Sequence, residues 1–125
     1  ELRNAVGDRY TIFTGVDDVA LESIFLGAEG WIMGSGLAFP KENQAIWNLA
    51  QAGEWDKARE IYSWFLPLCR LDTHIKFVQY IKLAQQENGL GKEWVRMPRM
   101  PLVGEERERI LKIIRDGIEA RPDLS

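Results

Sequence analysis

Hydrophobic and polar positions follow two different patterns along the chain. Short runs rich in apolar residues occupy positions 10–14, where Gly15 ends the run, and 30–34, where a glycine stands at each end. Runs of this length that are rich in β-branched and aromatic residues are typical of strands and too short for helices. The sequence therefore predicts two short strands, the second of them apolar enough to be buried on both faces.

The segment between the two predicted strands has a helical spacing. Val19, Leu21, Ile24 and Phe25 mark one face, and Gly27 ends the pattern. A strand, a helix and a second strand in this order form a right-handed unit with parallel strands. Two short strands cannot cover their own edges and faces, so we expect further strands upstream. Residues 1–7 are expected to be the last turns of a helix.

From Pro40 onward, spacings of three and four residues predict helices over 40–52, 54–70, 75–87 and 105–118. Pro67 should kink the second helix or end it early. Residues 90–104, which include Pro98 and Pro101, should be extended, and residues 121–125 should form a frayed tail. The pattern thus separates an α/β part, residues 1–39, from a helical part, residues 40–125.

Composition narrows the function classes. The 125 residues include 46% hydrophobic residues and five tryptophans, as in a packed globular protein, and the net charge of −3 gives no positive field for nucleic acid or anionic lipid. A single cysteine excludes an internal disulfide and a cysteine-based zinc site. With no signal-like N-terminus and no long apolar run, we expect a cytoplasmic protein that binds neither membranes nor nucleic acid, with no metal.

Two loops are the best candidates for chemistry. Gly15, Asp17 and Asp18 follow the first strand, where a glycine would let a ligand approach and a carboxylate would accept hydrogen bonds from hydroxyl or amine groups. A helix N-cap is the alternative role for either aspartate. Gly34 and Ser35 follow the second strand, where backbone N–H groups could bind an anion, or the residues could simply form a turn.

Other conspicuous residues have structural explanations. His74, the only histidine, could act as an acid or base with Asp72, but a surface or helix-cap position is favoured. Packing accounts for most of the tryptophans. The charge run at residues 105–109 is expected to be a solvated helix face with pairs four residues apart, and to have no chemical role.

Several stretches, in order, resemble one family. Residues 14–18, 26–32 and 38–42, followed by 52–60, 65–68 and 95–102, are similar to the C-terminal part of the dihydrodipicolinate synthase and N-acetylneuraminate lyase family. The resemblance implies an α/β fold: the last two βα units of a (β/α)8 TIM barrel, with strands seven and eight in residues 1–39. Residues 40–125 would be the last barrel helix and a C-terminal helical extension. A whole barrel needs about 250 residues.

The family resemblance also implies a mechanism. Its members are usually tetramers that form a Schiff base between a strand-six lysine and a 2-oxo acid, without a cofactor. That lysine and the proton-shuttling tyrosine would precede Glu1, so no catalytic residue is expected in this chain, which would be inactive alone. The substrate-lining positions implied are Gly15, Asp17, Asp18, Ile32 through its carbonyl, Gly34 and Ser35.

The resemblance leaves the reaction open. Members that make dihydrodipicolinate often carry Asn-Pro-x-Pro-x-Lys, whereas this chain has Leu-Asp-Thr-His-Ile-Lys at 71–76. Residues 76–84 and 93–96 look more like catabolic members. The expected function is therefore a lyase or aldolase acting on pyruvate or another 2-oxo acid, or a dehydratase of 2-keto-3-deoxy sugar acids, or a pyrroline-4-hydroxy-2-carboxylate deaminase. A helical protein-interaction module is the alternative from another class.

Overall fold

The structure, a computed structural model, describes residues 1–124. Eight helices and strands follow one another along the chain: α1 (Leu2–Val6), β1 (Phe13–Thr14), α2 (Ala20–Phe25), β2 (Gly30–Trp31), α3 (Pro40–Gln51), α4 (Trp55–Cys69), α5 (Phe77–Glu87) and α6 (Gly104–Glu119). Four 3-10 turns, Gly7–Arg9, Asp17–Val19, Ser35–Leu37 and Arg70–Thr73, join them. The order of elements is the one that the sequence predicts.

Strands β1 and β2 are parallel neighbours, as predicted. Phe13 pairs with Gly30 and Thr14 with Trp31, and the N–H of Ile32 donates to the carbonyl of Thr14 at 2.9 Å. Both strands are shorter than the apolar runs that predicted them. Two strands form ladder hydrogen bonds only where they face each other. The ends of each apolar run have no such partner and are therefore not part of a strand.

Helix α4 runs through Pro67 to Cys69, so of the two predicted effects of this proline, a kink or an early end, the early end was wrong. Proline lacks an N–H and therefore removes one backbone hydrogen bond from the last turn. Pro67 itself is exposed, whereas Phe65, Leu68 and Cys69 of the same turns are almost fully buried, and their packing keeps the last turn helical.

The main core lies among the four long helices. It contains large side chains from every one of them and from the residue before α3: Phe39, Ile46, Phe65, Leu68, Tyr80, Leu83, Ile110 and Ile114. A smaller core, made by Ile24, Ala50 and Ala58 with Trp47 and Trp55 against it, joins α2 to α3 and α4. The strand pair is therefore attached to the helical part through α2.

The charge run at 105–109 does more than form a solvated face. Glu106 accepts hydrogen bonds from the hydroxyl of Tyr80 at 2.7 Å and from the Nζ of Lys76 at 2.5 Å. Arg107 donates two hydrogen bonds to Glu93, at 3.0 and 3.2 Å. The prediction of pairs only within the helix was wrong for these two residues, because their partners come from α5 and from the extended segment before α6.

The start of the predicted tail is held in place. The guanidinium of Arg121 forms an ion pair with Glu42 at 3.1 Å, lies over the ring of Phe39 at 5.4 Å and donates to Asn88. The prediction of fraying was wrong at this position, and Ser125 lies outside the described residues. Among the helices of residues 1–124, none is both long and apolar enough to cross a bilayer.

Candidate functional site

The loops that follow β1 and β2 lie side by side. Because parallel strands end at the same edge of a sheet, the turn after Thr14 meets the turn after Trp31. Gly15 comes close to the main chain of the second loop, since a Cβ added to it would lie 3.8 Å from the carbonyl oxygen of Ile32. The structure thus brings the first candidate loop and the second into contact.

Asp17 joins the two loops. Its side chain is fully buried, and its carboxylate accepts hydrogen bonds from the backbone N–H of Ser35 at 2.8 Å and from the indole Nε1 of Trp31 at 3.2 Å. Across the described residues, neither the 3-10 turn Asp17–Val19 nor helix α2 has a side-chain cap. The alternative of a helix N-cap was therefore wrong for both aspartates.

Tyr62 of α4 fixes the same loop from the other side. Its hydroxyl donates to the main-chain carbonyl of Asp17 at 2.8 Å and accepts from the N–H of Ala20 at 3.1 Å. Burial raises the pKa of Tyr62 well above its usual range, so the hydroxyl keeps the proton that it donates. Sequence reasoning missed this role. The available signal was a tyrosine on a buried helix face, whose hydroxyl needs a partner.

Asp72 lies against the second loop. A Cβ added to Gly34 would overlap the Asp72 carboxylate, so only glycine fits at position 34 without movement of its neighbour. Burial, and then the negative charges of Asp17 and Asp18, raise the pKa of Asp72 to about 6. The sequence pairs Asp72 only with His74. The structure assigns it to the wall of the second loop instead.

His74 has the surface position that the sequence favoured. The side chain is exposed, its Nδ1 accepts the backbone N–H of Lys76 at 3.1 Å just before α5, and its ring stacks on Tyr80 with centroids 4.9 Å apart. Packing also explains Trp31, Trp47, Trp55 and Trp64, which lie against the two cores, whereas Trp94 is exposed.

The two loops differ in what a ligand could reach. Gly15 and Ile32 are exposed, Asp18 and Gly34 are partly exposed, and Asp17 and Ser35 are buried. The open side therefore offers backbone carbonyl and N–H groups and one aspartate. Residues 1–124 hold no group of three or more His, Cys, Asp or Glu side chains that could bind a metal ion. None of the six lysines of the sequence lies in either loop.

A paired set of parallel strands with glycine-containing loops at their carboxyl ends is shared by many folds, and comparison with known proteins identifies which one this is. The sequence profile of the Dihydrodipicolinate synthetase family matches residues 1–116. The chain belongs to this family. The resemblance stated from the sequence is thereby confirmed, and the family's curated relatives of this chain are lyases.

Two curated relatives named 4-hydroxy-tetrahydrodipicolinate synthase illustrate the similarity. The protein from Thermomicrobium roseum is 31% identical over 111 residues, which are 89% of this chain and 37% of that protein. The protein from Sorangium cellulosum is 32% identical over 130 aligned positions, which cover 100% of this chain and 41% of that protein. The chain thus spans about two fifths of the length of these relatives.

Solved structures agree. The 4-hydroxy-tetrahydrodipicolinate synthase of Methylacidiphilum fumariolicum superposes with a TM-score of 0.73 at 27% identity, over 94% of this chain and 40% of that one. A protein from Pseudomonas aeruginosa superposes with a TM-score of 0.79 at 24% identity, over 93% and 40%, which shows the shared fold. The α/β class with a helical C-terminal part is confirmed at this level.

Proposed function

We propose that residues 1–124 are the last two βα units and the helical extension of a (β/α)8 barrel lyase that forms a Schiff base with a 2-oxo acid. The observation that carries this proposal is the contact between the two loops at the carboxyl ends of β1 and β2, in a chain of this family. Reactive groups of barrel enzymes lie at this face. Coverage of about 40% of each relative supports the assignment of the chain to one part of the enzyme.

In the proposed enzyme, a lysine outside residues 1–125 forms the imine with the carbonyl carbon of the substrate. The protonated imine accepts electrons from the neighbouring bond and so assists its formation or cleavage. Gly15, Asp18, the Ile32 carbonyl and Gly34 would line the more distant part of the substrate, because they are the accessible members of the two loops. Asp17 and Ser35 would hold these loops in place from beneath.

The proposed substrate is pyruvate or a longer 2-oxo acid. Longer substrates of catabolic enzymes are a second candidate, and one observation favours them. Asp72 occupies the segment where this chain departs from the Asn-Pro-x-Pro-x-Lys pattern, and its carboxylate borders Gly34 near Asp18. Two carboxylates favour hydroxyl or amine groups on a ligand and repel a second carboxylate. A 2-keto-3-deoxy sugar acid or a hydroxylated pyrroline carboxylate fits this wall.

The same proposal includes a cytoplasmic homotetramer that needs no added cofactor. Family membership favours this lyase over the helical interaction module considered from the sequence.

Borohydride trapping tests the Schiff base. The full-length protein that contains this sequence would be incubated with pyruvate or a 2-keto-3-deoxyhexonate, reduced with sodium borohydride and analysed by mass spectrometry. We expect a stable adduct on one lysine outside residues 1–125. An adduct on any of the six lysines within this chain, or no adduct with any 2-oxo acid, would contradict the proposal.

A matched pair of variants tests the lining. Asp18→Asn is expected to raise the hexonate concentration that gives half-maximal trapping about tenfold, as the loss of a charged hydrogen bond does. The corresponding concentration of pyruvate should not change. Asp116→Asn, on the exposed side of α6, is the control and should change neither. Equal effects of Asp18→Asn on both acids would argue against a distal role for this loop.

A further inference from the structure

The helical extension reaches the candidate site through one hydroxyl group. Tyr62 belongs to α4, outside the strand-containing part of the chain, yet its hydroxyl bridges the main chain of Asp17 and Ala20. We propose that Tyr62 is a positioning residue that sets both substrate-facing loops through Asp17. The inference rests on the function proposed above, and it assigns a role to the extension that the loops alone do not reveal.

The first step runs from Tyr62 to the loop after β1. The N–H of Ala20 donates to the carbonyl of Asp17 and closes the 3-10 turn, and the hydroxyl bonds to both groups, at 2.8 Å to the carbonyl and 3.1 Å to the N–H. Both bonds of the hydroxyl are buried, and without them only the bond between the two main-chain groups would hold the turn. The turn that carries Asp17 and Asp18 is therefore held at its start and at its end.

The second step runs from Asp17 to the loop after β2. One carboxylate oxygen accepts from the N–H of Ser35 and the other from the indole of Trp31. Ser35 in turn donates its hydroxyl to the carbonyl of Leu68, at 3.4 Å, so α4 contacts the second loop too. A rotation of the Asp17 main chain would thus be transmitted to Ser35 and its neighbour Gly34.

These contacts separate Asp17 from direct substrate binding. Its side chain has no exposed surface, and both of its oxygens are occupied by groups of the chain. Asp17 would therefore affect the substrate only indirectly, by fixing the positions of Gly15, Asp18 and Gly34. Loss of the Tyr62 hydroxyl should therefore weaken recognition of the distal part of a long substrate and spare imine formation at the other end.

Hydrogen exchange tests the coupling without any reaction. In the full-length protein, Tyr62→Phe is expected to speed amide exchange at Ala20, which keeps only the Asp17 carbonyl as an acceptor, and also at Ser35, which Tyr62 does not touch. The increase at Ser35 should be about tenfold, since the lost bonds are two ordinary hydrogen bonds. Faster exchange at Ala20 with unchanged exchange at Ser35 would overturn the proposal, whether or not the protein forms an imine.

Trapping supplies the chemical readout. Half-saturating concentrations for borohydride-trapped adducts would be measured with pyruvate and with a 2-keto-3-deoxyhexonate. Tyr62→Phe is expected to raise the value for the hexonate about tenfold and to leave that for pyruvate within about twofold. Equal changes for the two acids, or none, would contradict a positioning role. Absence of adducts in the unmodified protein would instead contradict the proposed function, and the exchange result would still decide the coupling.

Tyr80→Phe is the matched control. It removes a tyrosine hydroxyl that donates to Glu106 at 2.7 Å between α5 and α6, away from the two loops. It should lower the melting temperature by an amount similar to Tyr62→Phe and leave both Ser35 exchange and the ratio between the two acids unchanged. If Tyr80→Phe altered that ratio as much as Tyr62→Phe, general destabilisation would explain both variants.

Discussion

At the scale of single residues, the carboxylates beneath the two loops have different tasks. Asp17 is fully paired within the chain, whereas Asp72 borders Gly34 and feels the charges of Asp17 and Asp18. A carboxyl group placed in this way resists ionisation. The folded chain therefore holds a proton on Asp72 at pH values where the unfolded chain has lost it, and folding is weakened when that proton leaves.

This difference predicts a pH-dependent effect of Asp72→Asn. The pKa of Asp72 is raised from 3.8 to about 6, so the folded state binds the extra proton between these values and stability falls as the pH rises through that window. Asp72→Asn should match the unmodified protein near pH 4 and be more stable at pH 7. Solvent screens the partly exposed group, so the gain should be about 1 kcal/mol.

Urea unfolding at the two pH values measures this effect. Asp8→Asn is the control, because the Asp8 side chain is fully exposed, and it should show no gain at pH 7. The gain in stability of Asp72→Asn over the unmodified protein should be larger at pH 7 than at pH 4. An equal gain at both pH values, or none, would show that the charge of Asp72 does not oppose folding.

The positions of the loop residues could be predicted from the sequence, but their bonds could not. Strand signals placed Gly15, Asp17, Gly34 and Ser35 at the carboxyl end of a parallel pair, and the structure brings them together there. The direction of the Asp17 side chain depends on donors 14 and 18 residues away, at Trp31 and Ser35. Local spacing contains no information on such partners, which is why a helix cap was the natural interpretation for either aspartate alone.

At the scale of elements, ion pairs join helices to one another and to the segments between them. The clearest case is Glu42 at the start of α3, whose side chain is 4% exposed and whose partner is Arg121, beyond the end of α6. A buried carboxylate without a partner is costly. Arg121 also lies over Phe39, so the segment after α6 covers the beginning of α3.

Arg121→Ala is therefore expected to destabilise the full-length protein by about 2 kcal/mol, less than for a wholly buried pair because Arg121 is partly exposed. Thermal unfolding would measure the loss. Adding Glu42→Gln should recover part of it, since a neutral amide is less costly to bury than a carboxylate. Arg99→Ala, at an exposed position, is the control and should cost little. A similar loss from both arginine variants would rule out a specific role for the Glu42 pair.

Element boundaries show where sequence reasoning ends. The order of the helices followed from spacing, and the structure confirms it. The effect of Pro67 did not follow, because the cost of one missing hydrogen bond has to be compared with the burial of Phe65 and Leu68, and burial depends on α6 and α3. The same holds for the pair of Arg107 and Glu93. These residues are 14 positions apart, and whether they meet depends on the path of the extended segment between them.

At the scale of the whole molecule, several large apolar side chains are exposed at and beside the strand pair. Phe13 and Ile32 are 53% and 69% exposed, and Val16 and Leu37 beside them are also exposed. Within the described residues, each strand pairs on one side only. An open strand edge with exposed apolar side chains promotes association with another chain. In the proposed barrel, the remaining strands would cover this surface.

Residues 1–125 expressed alone are therefore expected to self-associate at micromolar concentration in gel filtration. The double variant Phe13→Lys/Ile32→Lys should shift the chain towards a monomer while circular dichroism shows the same helix content. Ile75→Lys/Trp94→Lys adds the same charge at exposed apolar positions in the helical part and should leave association in place. A stable monomer in the unmodified chain would argue against the barrel assignment.

The bond between Tyr62 and Asp17 also has a consequence for biosynthesis. Its two residues are 45 positions apart, and a ribosome that adds about 5–20 residues per second needs about 2–9 s to add that length. Throughout this interval the turn at Asp17 has been made and its anchor has not. The loops of the proposed pocket can therefore reach their final arrangement only after α4 has left the ribosome, so the nascent polypeptide cannot bind ligand as soon as its strand pair has been made.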